Sequence, residues 1–440
     1  MNKQVGWKIP PMTAQLLKDV PPDRPVAVLL RHSVRPDLPL NGTGYAVPLT
    51  EEGVRLGRAL GAMLGGRLRS LHSSPLVRCL QTAEALRAGA QIEIAIRLDQ
   101  LLGDPGVYVL DGRVAWSNWQ QRGHEGMMAH LVSKDDPLPG MAAPAPAARF
   151  LVHHMLSAIG ATPGIHVFVT HDSLITVTSA RMLGEQLEPD EWPWYLEGAF
   201  FWSEGDDLHV RYRDFQHISS NGPLCGFKEA DVVEFARREI ARTVGLSSQA
   251  RFFLAGGAFK TLLTGRPPRD LDLWPASDQD REILNTSLID RGAARLSEHP
   301  FADAFEIGGR MVEVARKTNP STLEERLDRF DIGLSAVGVE YGPGDRWHGV
   351  IHPLALESVK RRKVLLLKPM VNWKYALVTL ERMRRYAQEL GYLLPDEEAR
   401  EVWRVFDAQT PEMQCGMIER FDRTTRHGYG VREEALCRRR

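Results

Sequence analysis

Val26-Ala-Val-Leu-Leu-Arg31-His32-Ser33-Val34-Arg35-Pro36 is the stretch from which the rest of the chain takes its bearings. Its five leading apolar residues, with a proline on either side, predict a strand buried on both faces, as strands of a parallel sheet are. Such a strand delivers the residues after it to the carboxyl edge of the sheet, where α/β proteins place their ligands. Here those residues are a histidine flanked by two arginines. Guanidinium forks match phosphate oxygens and keep their charge at any working pH. A neutral imidazole among them is a nucleophile that needs no separate base near pH 7. The chemistry predicted is attack on a phosphoryl group. The plainer alternative is a polar strand end, and partners elsewhere in the chain must decide between the two.

The partners lie in the first half. Ile165-His-Val-Phe-Val-Thr170 predicts a second buried strand, ending in His171-Asp172-Ser173-Leu174 with a helix running on to Met182. A second imidazole at the same sheet edge, beside a helix N-terminus, adds positive character to an anion pocket. Asp172 is either the proton donor to a leaving oxygen or a helix N-cap. Ser73-Ser74-Pro75 at the entry to another helix leaves free backbone N–H groups for an anion, and Arg78 sits one turn inside. Leu49-Thr50-Glu51-Glu52-Gly53 opens a helix whose buried face is predicted at Val54, Leu56, Leu60, Met63 and Leu64. Residues 103–146 read as a long irregular insertion of the kind that forms a lid or substrate loop. Residues 147–159 read as helical, and 200–202 with 208–212 as a hairpin around Gly205-Asp206-Asp207.

A chain of 440 residues suggests two or three domains. With 55 lysines and arginines against 56 acids, neither a nucleic-acid-coating protein nor an acidic disordered one is indicated. The 4 cysteines are scattered without Cys-x-x-Cys pairing, which argues against a disulfide or zinc framework and fits a reducing compartment. Without a signal-like apolar run or a membrane-length segment, the expectation is a cytoplasmic protein with no membrane partner.

Arg31-His32 after its strand, Leu49-Thr-Glu-Glu-Gly, Ser74-Pro75-Leu76-x-Arg78-x-x-Gln81-Thr82-Ala83-Glu84 and Thr170-His171-Asp172 together resemble the histidine phosphatase superfamily over most of residues 24–215. The resemblance implies an α/β/α sandwich with His32 as the phosphorylated nucleophile. Arg31, Arg35, Arg78 and His171 would hold the phosphate of a phosphorylated substrate. Arg35 and the His171-Asp172 pair look more like the acid-phosphatase branch than the mutase branch, which implies Asp172 as proton donor, with Asp99 or Asp104 in reserve. Ser33 stands where the family usually has glycine.

Turn chemistry at Ser219-Ser220-Asn221-Gly222-Pro223 places a boundary between domains 1–222 and 223–440. Beyond it, Arg251-Phe-Phe-Leu254 predicts a strand, followed by Gly256-Gly257 and a short helix. Asp270-Leu271-Asp272-Leu273-Trp274 predicts another strand, with both aspartates on one face. Two carboxylates so close repel unless a divalent cation sits between them, as a magnesium ion holding a triphosphate would. Glycines at this distance let backbone approach a triphosphate. Glu313, in Met311-Val312-Glu313-Val314-Ala315, is either a third metal ligand or an edge-strand charge facing water.

These residues resemble the polymerase-beta-type nucleotidyltransferases over about residues 250–394, and more closely the head and neck of tRNA nucleotidyltransferases and bacterial poly(A) polymerases. The resemblance implies an α+β head with a helical neck. It implies Mg2+ on Asp270, Asp272 and Glu313, and a nucleoside triphosphate at Gly256, Gly257, Arg316 and Arg329. Arg329 to Ala336 resembles the signature Arg-Arg-Asp-Phe-Thr-Ile-Asn-Ala, with Phe330 in place of the second arginine and Ser335 in place of the asparagine. Lys360-Arg361-Arg362-Lys363, Lys368, Lys374, Arg382, Arg384 and Arg385, interleaved with Trp373, Tyr375 and Tyr386, form either an RNA-tracking face or a solvated one. The combined expectation is a bifunctional phosphatase and metal-dependent nucleotidyltransferase, its sharpest version acting on RNA ends. The alternatives are nucleotidylation of a protein or small molecule, and a nucleotide-binding sensor whose phosphatase alone works.

Overall fold

The computed structural model describes residues 7–38, 44–103, 105–205, 207–219, 226–246, 248–296, 301–316, 322–425 and 428–438. The chain divides into two compact units, Met1–Leu224 and Cys225–Arg440. The turn read as a boundary, the hairpin residue Asp206 and the reserve acid Asp104 lie wholly or mostly outside the described residues.

The first unit runs α1 (Pro11–Asp19), β1 (Pro25–Arg31), α2 (Glu51–Leu64), β2 (Leu68–Ser73), α3 (Val77–Ala90), β3 (Ile96–Leu98), α4 (Gly112–Ser133), α5 (Pro144–Ile159), β4 (Gly164–Thr170), α6 (Asp172–Leu183), β5 (Gly198–Glu204), β6 (Asp207–Tyr212) and β7 (Phe215–Ser219). Its seven strands form one sheet in the order β3-β2-β4-β1-β5-β6-β7. The first four are parallel, and β5, β6 and β7 extend the sheet as an antiparallel meander. Every second residue of β1 feeds one core: Val26, Val28 and Leu30 pack with Leu56 and Leu60 of α2 and Leu86 of α3. Burial of each such side chain contributes about 1.5–3 kcal/mol. On the sheet's other side α5 and α6 pack on each other and on β1. β1 and β4 are therefore covered on both faces, which is why their sequences read as unbroken apolar runs.

Two expectations for this unit are corrected. Half of the stretch 103–146 is the long helix α4, capped by Asp111 and interrupted at Gly123, where φ is 69° and ψ 176°. The buried face of α2 is made of leucines and glycines, Leu56, Leu60 and Leu64 with Gly53, Gly57 and Gly61, whereas Met63 is exposed. A Cβ on Gly53 would come 2.2 Å from the Val34 carbonyl oxygen, on Gly57 2.8 Å from Ala85 Cβ and on Gly61 2.2 Å from the Leu86 carbonyl oxygen. The missing side chains let α3 and the loop after β1 lie directly against α2.

The second unit runs α7 (Glu229–Arg242), β8 (Phe252–Ala255), α8 (Thr261–Thr264), β9 (Asp270–Pro275), α9 (Asp278–Asp290), β10 (Ala294–Arg295), β11 (Ala302–Ile307), β12 (Arg310–Ala315), α10 (Leu323–Leu327), β13 (Val337–Gly342), β14 (Arg346–Ile351), α11 (Pro353–Arg361), α12 (Ala376–Leu390), α13 (Asp396–Asp407), α14 (Pro411–Thr424) and α15 (Val431–Arg438). Its sheet has the order β10-β11-β12-β9-β8-β13-β14. Only β9 and β12 pair in parallel. β12 lies between β9 and β11, so the reading of Glu313 as an edge-strand charge does not hold. Helices α13, α14 and α15 pack around α12. Among the described residues, no helix is long and apolar enough to cross a membrane.

Candidate active sites

Three adjacent parallel strands of the first unit end at one place. Arg31 and Thr170 are partners in register, so His32 and His171 leave β1 and β4 side by side. Ser73 pairs with Val169, which brings Ser74 alongside. Hydrogen bonds from His32 N to Thr170 O (2.9 Å) and from Ser74 N to Val169 O (3.0 Å) carry the pairing one residue past the strands. The ring centroids of His32 and His171 are 5.6 Å apart.

The neighbours determine the tautomers. His32 Nδ1 lies 2.8 Å from the Ser33 carbonyl oxygen, which can only accept, so the ring proton sits on Nδ1. Nε2 is then a lone pair, and Arg78 Nε–H points at it from 3.2 Å. A second Arg78 nitrogen lies 3.3 Å from His171 Nδ1, while His171 Nε2 faces Ser74 Oγ at 3.2 Å. Because a guanidinium only donates, both imidazoles face it unprotonated. Burial first, then His171 and the Arg31 and Arg78 charges, hold the His32 pKa well below its ordinary value, although the Ser33 contact opposes them. Burial and Arg78 bring His171 to about 3. His32 is 3% exposed and Arg78 7%.

Positive charge is in excess here. Arg31 pairs with Asp172 at 2.8 Å, donates to Pro193 O at 2.6 Å and lies over the Tyr195 ring at 4.4 Å. Arg35 donates to the carbonyl oxygen of Pro36 at 2.7 Å. Among the described residues, the Nε atoms of Arg31 and Arg35 are buried without a hydrogen-bond partner, a cost of about 1–3 kcal/mol each until an acceptor arrives. Two unspent guanidinium donors beside a neutral imidazole fit an incoming phosphoryl group.

Asp172 opens α6 as its first residue and accepts from its neighbour Ser173 N at 2.8 Å. The N-cap itself is His171. Burial works to raise the Asp172 pKa, but Arg31, followed by His124 and His32, overrides it and keeps the carboxyl well below its ordinary range. Asp99 is taken up by His154 at 2.6 Å and caps the short turn 100–102, which leads to Gly103. Gly103 has φ 142°, and a Cβ there would stand 2.8 Å from His171 Nε2 and from Ser74 Oγ. Ser33 donates from Oγ to Gly53 O (2.7 Å) and from N to Thr82 Oγ1 (2.9 Å), which ties the loop after β1 to α2 and α3. Reading the sequence missed Tyr195, Gly103 and His124. None of them lies in a periodic pattern, and only the positive φ at Gly103 has a residue-type signal.

In the second unit Asp272 and Glu313 are direct partners in register across β9 and β12, with Asp270 opposite Met311. Burial first, then the charges of Asp270 and Glu313, push Asp272 up to about 7. Gly256 has φ 116°, and a Cβ there would lie 3.3 Å from Asp272 Oδ2 and 3.6 Å from the Phe330 ring; one on Gly257 would lie 2.6 Å from the Tyr386 hydroxyl. Three hard oxygen donors that repel one another fit Mg2+ in kind. Among the described residues, no group of three or more His, Cys, Asp or Glu is arranged to hold a metal ion. Magnesium needs only one or two carboxylates when a substrate phosphate and water complete its shell, so the donors present are sufficient. Arg269 already sits on Asp270 at 2.7 Å.

The expected nucleotide-binding arginines are not brought to these carboxylates. Arg316 lies on Asp303 at 3.1 Å, and Asp303 is opposite Val314, on the other face of β12 from Glu313. Arg329 is exposed. With burial, its charge brings Arg326 down to about 10. Much of the basic stretch is also spoken for: Lys368 pairs with Glu398, Arg382 with Asp331, Arg384 with Glu434 and Arg385 with Glu381. Tyr386 is 3% exposed and lies under Lys260, so it offers no stacking face.

Comparison with known proteins agrees with the first of these geometries. Residues 28–195 match the family model of the histidine phosphatase superfamily, branch 1, and this part of the chain is a histidine phosphatase domain. The acid-phosphatase likeness of Arg35 and the His171-Asp172 pair rests on those residues alone. The chain matches no curated protein. Among solved structures it is similar to a tRNA-processing enzyme in its apo form (20% identity, 46% of this chain and 56% of that one, TM-score 0.35). It is also similar to the Thermotoga maritima CCA-adding enzyme complexed with tRNA (14%, 48% and 54%, TM-score 0.34). A third is a tRNA nucleotidyltransferase complexed with a primer tRNA and an incoming ATP analogue (18%, 47% and 59%, TM-score 0.34). The chain thus spans little more than half the length of these structures.

Proposed function

We propose that the first unit hydrolyses phosphate monoesters through a phosphohistidine at His32, and that the second is a metal-dependent nucleotidyltransferase, which makes the chain a bifunctional enzyme. The observation that carries the first half is the pair of contacts on one ring: the Ser33 carbonyl fixes the proton on Nδ1, and Arg78 marks the direction of the Nε2 lone pair. Nε2 attacks phosphorus as the bond to the ester oxygen breaks, with Arg31, Arg35, Arg78 and His171 around the phosphoryl oxygens. Water then attacks phosphorus, the P–N bond breaks, and inorganic phosphate leaves. In the resting site Arg31 keeps Asp172 ionised. A dianionic substrate that draws Arg31 onto its own oxygens raises the Asp172 pKa, and the proton Asp172 then carries goes to the leaving oxygen. Rapid alkaline quench after mixing with 32P-labelled phosphomonoester tests this reading. Acid-labile, base-stable label on the wild-type chain and none on His32→Ala is the expected result; label of equal amount on both would refute it.

For the second unit, Asp272 and Glu313, with Asp270 beside them, would supply the one or two carboxylates that Mg2+ needs, and the ion when bound would neutralise triphosphate charge. The Gly256-Gly257 turn would bring backbone to the phosphates. The acceptor we favour is an RNA end, where removal of a terminal phosphate by the first unit precedes nucleotide addition by the second. Exposed Lys360 and Lys374 beside Trp373 support this choice. Phe330 against Gly256 and the Tyr386 hydroxyl against Gly257 favour a second reading, a nucleotide sensor without transfer. Incubation with labelled triphosphates, Mg2+ and RNA, small-molecule or protein acceptors separates these readings. Label on RNA that disappears in the Asp270→Ala, Asp272→Ala double variant is expected. Binding without transfer to any acceptor would establish the sensor instead.

A further inference from the structure

We propose that the hollow between α9 and the β10–β11–β12 end of the second sheet binds a phosphate-bearing small ligand of nucleoside monophosphate size. This site is separate from the carboxylates and independent of what they do. Arg281, Glu282, Asn285, Arg295, Asp303 and Arg316 are among the residues that line the hollow, whose volume is about 340 Å³. That is within the range of small-ligand sites.

Two guanidinium groups and one amide converge on one buried carboxylate. Arg316 and Arg295 reach Asp303 Oδ1 at 3.1 and 3.2 Å, while Asn285 donates to Oδ2 at 3.1 Å. Arg281 donates to the Arg316 carbonyl oxygen at 2.9 Å. One aspartate does not balance three arginines. The other acids within reach of Arg281, Asp278 at 3.6 Å and Glu282 at 3.4 Å, are 76% and 69% exposed. Exposed pairs of that kind contribute little and yield readily to a stronger anion.

The hollow also holds unspent polar atoms of both kinds. Among the described residues, Arg281 Nε is buried without a partner, and so is Asn285 Oδ1. The orientation of that amide is fixed, because its NH2 must face the Asp303 carboxylate. A buried donor and a buried acceptor left unmade each cost about 1–3 kcal/mol, and a ligand offering both an anionic oxygen and a hydroxyl would satisfy them together. A phosphate takes guanidinium forks in pairs, where a single carboxylate takes one. A ribose supplies the hydroxyl, and Ile289, 51% exposed on the rim, supplies an apolar shelf for the rest of the ligand. Asp303 faces the opposite side of the sheet from Glu313 and Asp272, so occupancy here does not fill the carboxylate site.

Equilibrium dialysis of the full chain against labelled inorganic phosphate, labelled nucleoside 5′-monophosphate and a short labelled oligoribonucleotide tests the assignment. Ligand held in the first unit is read separately, as competitive inhibition of p-nitrophenyl phosphate hydrolysis. The wild type is expected to show a saturable monophosphate site whose affinity falls at least tenfold in Arg281→Gln and in Arg295→Gln, and partly returns in Arg295→Lys, with hydrolysis unchanged in all three. Arg295 is 57% exposed at its side chain, so its variants test the site even if Arg281→Gln fails to fold. Equal monophosphate binding by the wild type and Arg295→Gln would overturn the proposal. So would retention of inorganic phosphate alone, or of the oligoribonucleotide alone.

Discussion

The two candidate sites are electrostatic opposites. In the first unit burial and neighbouring cations act together on histidines and drive their pKa values down, to about 3 at His171. In the second, burial and neighbouring anions act together on an aspartate and drive it up, to about 7 at Asp272. In both cases desolvation favours the neutral form, and the surrounding charge has the sign that reinforces it. A buried site with an excess of one sign is costly until its counter-charge arrives. The first is therefore poised for an anion and the second for a cation, and each half's ligand is written in the direction its titratable groups are pushed.

The contrast breaks most sharply at the nucleophile. His32→Ala is expected to lower p-nitrophenyl phosphate turnover by roughly 10⁴-fold or more and to leave labelled-triphosphate chemistry intact. Surviving hydrolysis would remove the basis for the first half of the contrast. Asp172→Asn sharpens it by separating charge from proton supply. Hydrolysis of an alkyl phosphate, whose leaving oxygen must be protonated, should fall roughly 10²–10⁴-fold, and that of p-nitrophenyl phosphate far less. Equal losses on both substrates would make Asp172 an anchor for Arg31 only. Gly103→Ala, which crowds His171 and Ser74, should cost about 10²-fold in kcat/KM without touching the Arg78 contact of His32.

The smallest effect is in the pH profile. A histidine of ordinary pKa would take up a proton below about 6.5 and lose its lone pair. In the folded chain His32 is held well below that value, so it stays neutral as the pH falls through 6.5. The acid limb of kcat/KM should accordingly lie below pH 6.5, after correction for substrate ionisation. Stability moves the same way. The unfolded chain binds protons at these histidines below about pH 6.5 while the native chain does not, so acid weakens the fold by up to ~1.4 kcal/mol per pH unit per histidine.

Much of this was legible because buried parallel strands are unambiguous in sequence. β1 and β4 each present an apolar run that ends in a histidine, and adjacency in the sheet did the rest. The Asp270–Asp272 pair was readable for a different reason, the period-two alternation of a strand with one face buried. The features that stayed hidden lacked periodicity or depended on three-dimensional neighbours. α4 breaks at Gly123 and its apolar stripe, Met127, Met128, Leu131 and Val132, is confined to the part after the break, so it read as irregular. The basic run looked unopposed because Glu398 and Glu434, which neutralise Lys368 and Arg384, lie 30 and 50 residues away in the chain. Arg316 comes soon after Glu313 in sequence, yet its guanidinium ends on the opposite face of the sheet, because Asp303 on β11 draws it there.

The glycine row on α2 has a consequence out of proportion to its chemistry. That helix contributes no reacting group, yet it sets the spacing of α3, and α3 carries the guanidinium that touches both rings. A single methyl at position 57 would act as a shim between two cylinders and translate Arg78 away from the histidines by a fraction of its own hydrogen-bond length. The tolerances of the reaction centre are thus machined into a helix–helix seam, where the working part is the absence of atoms.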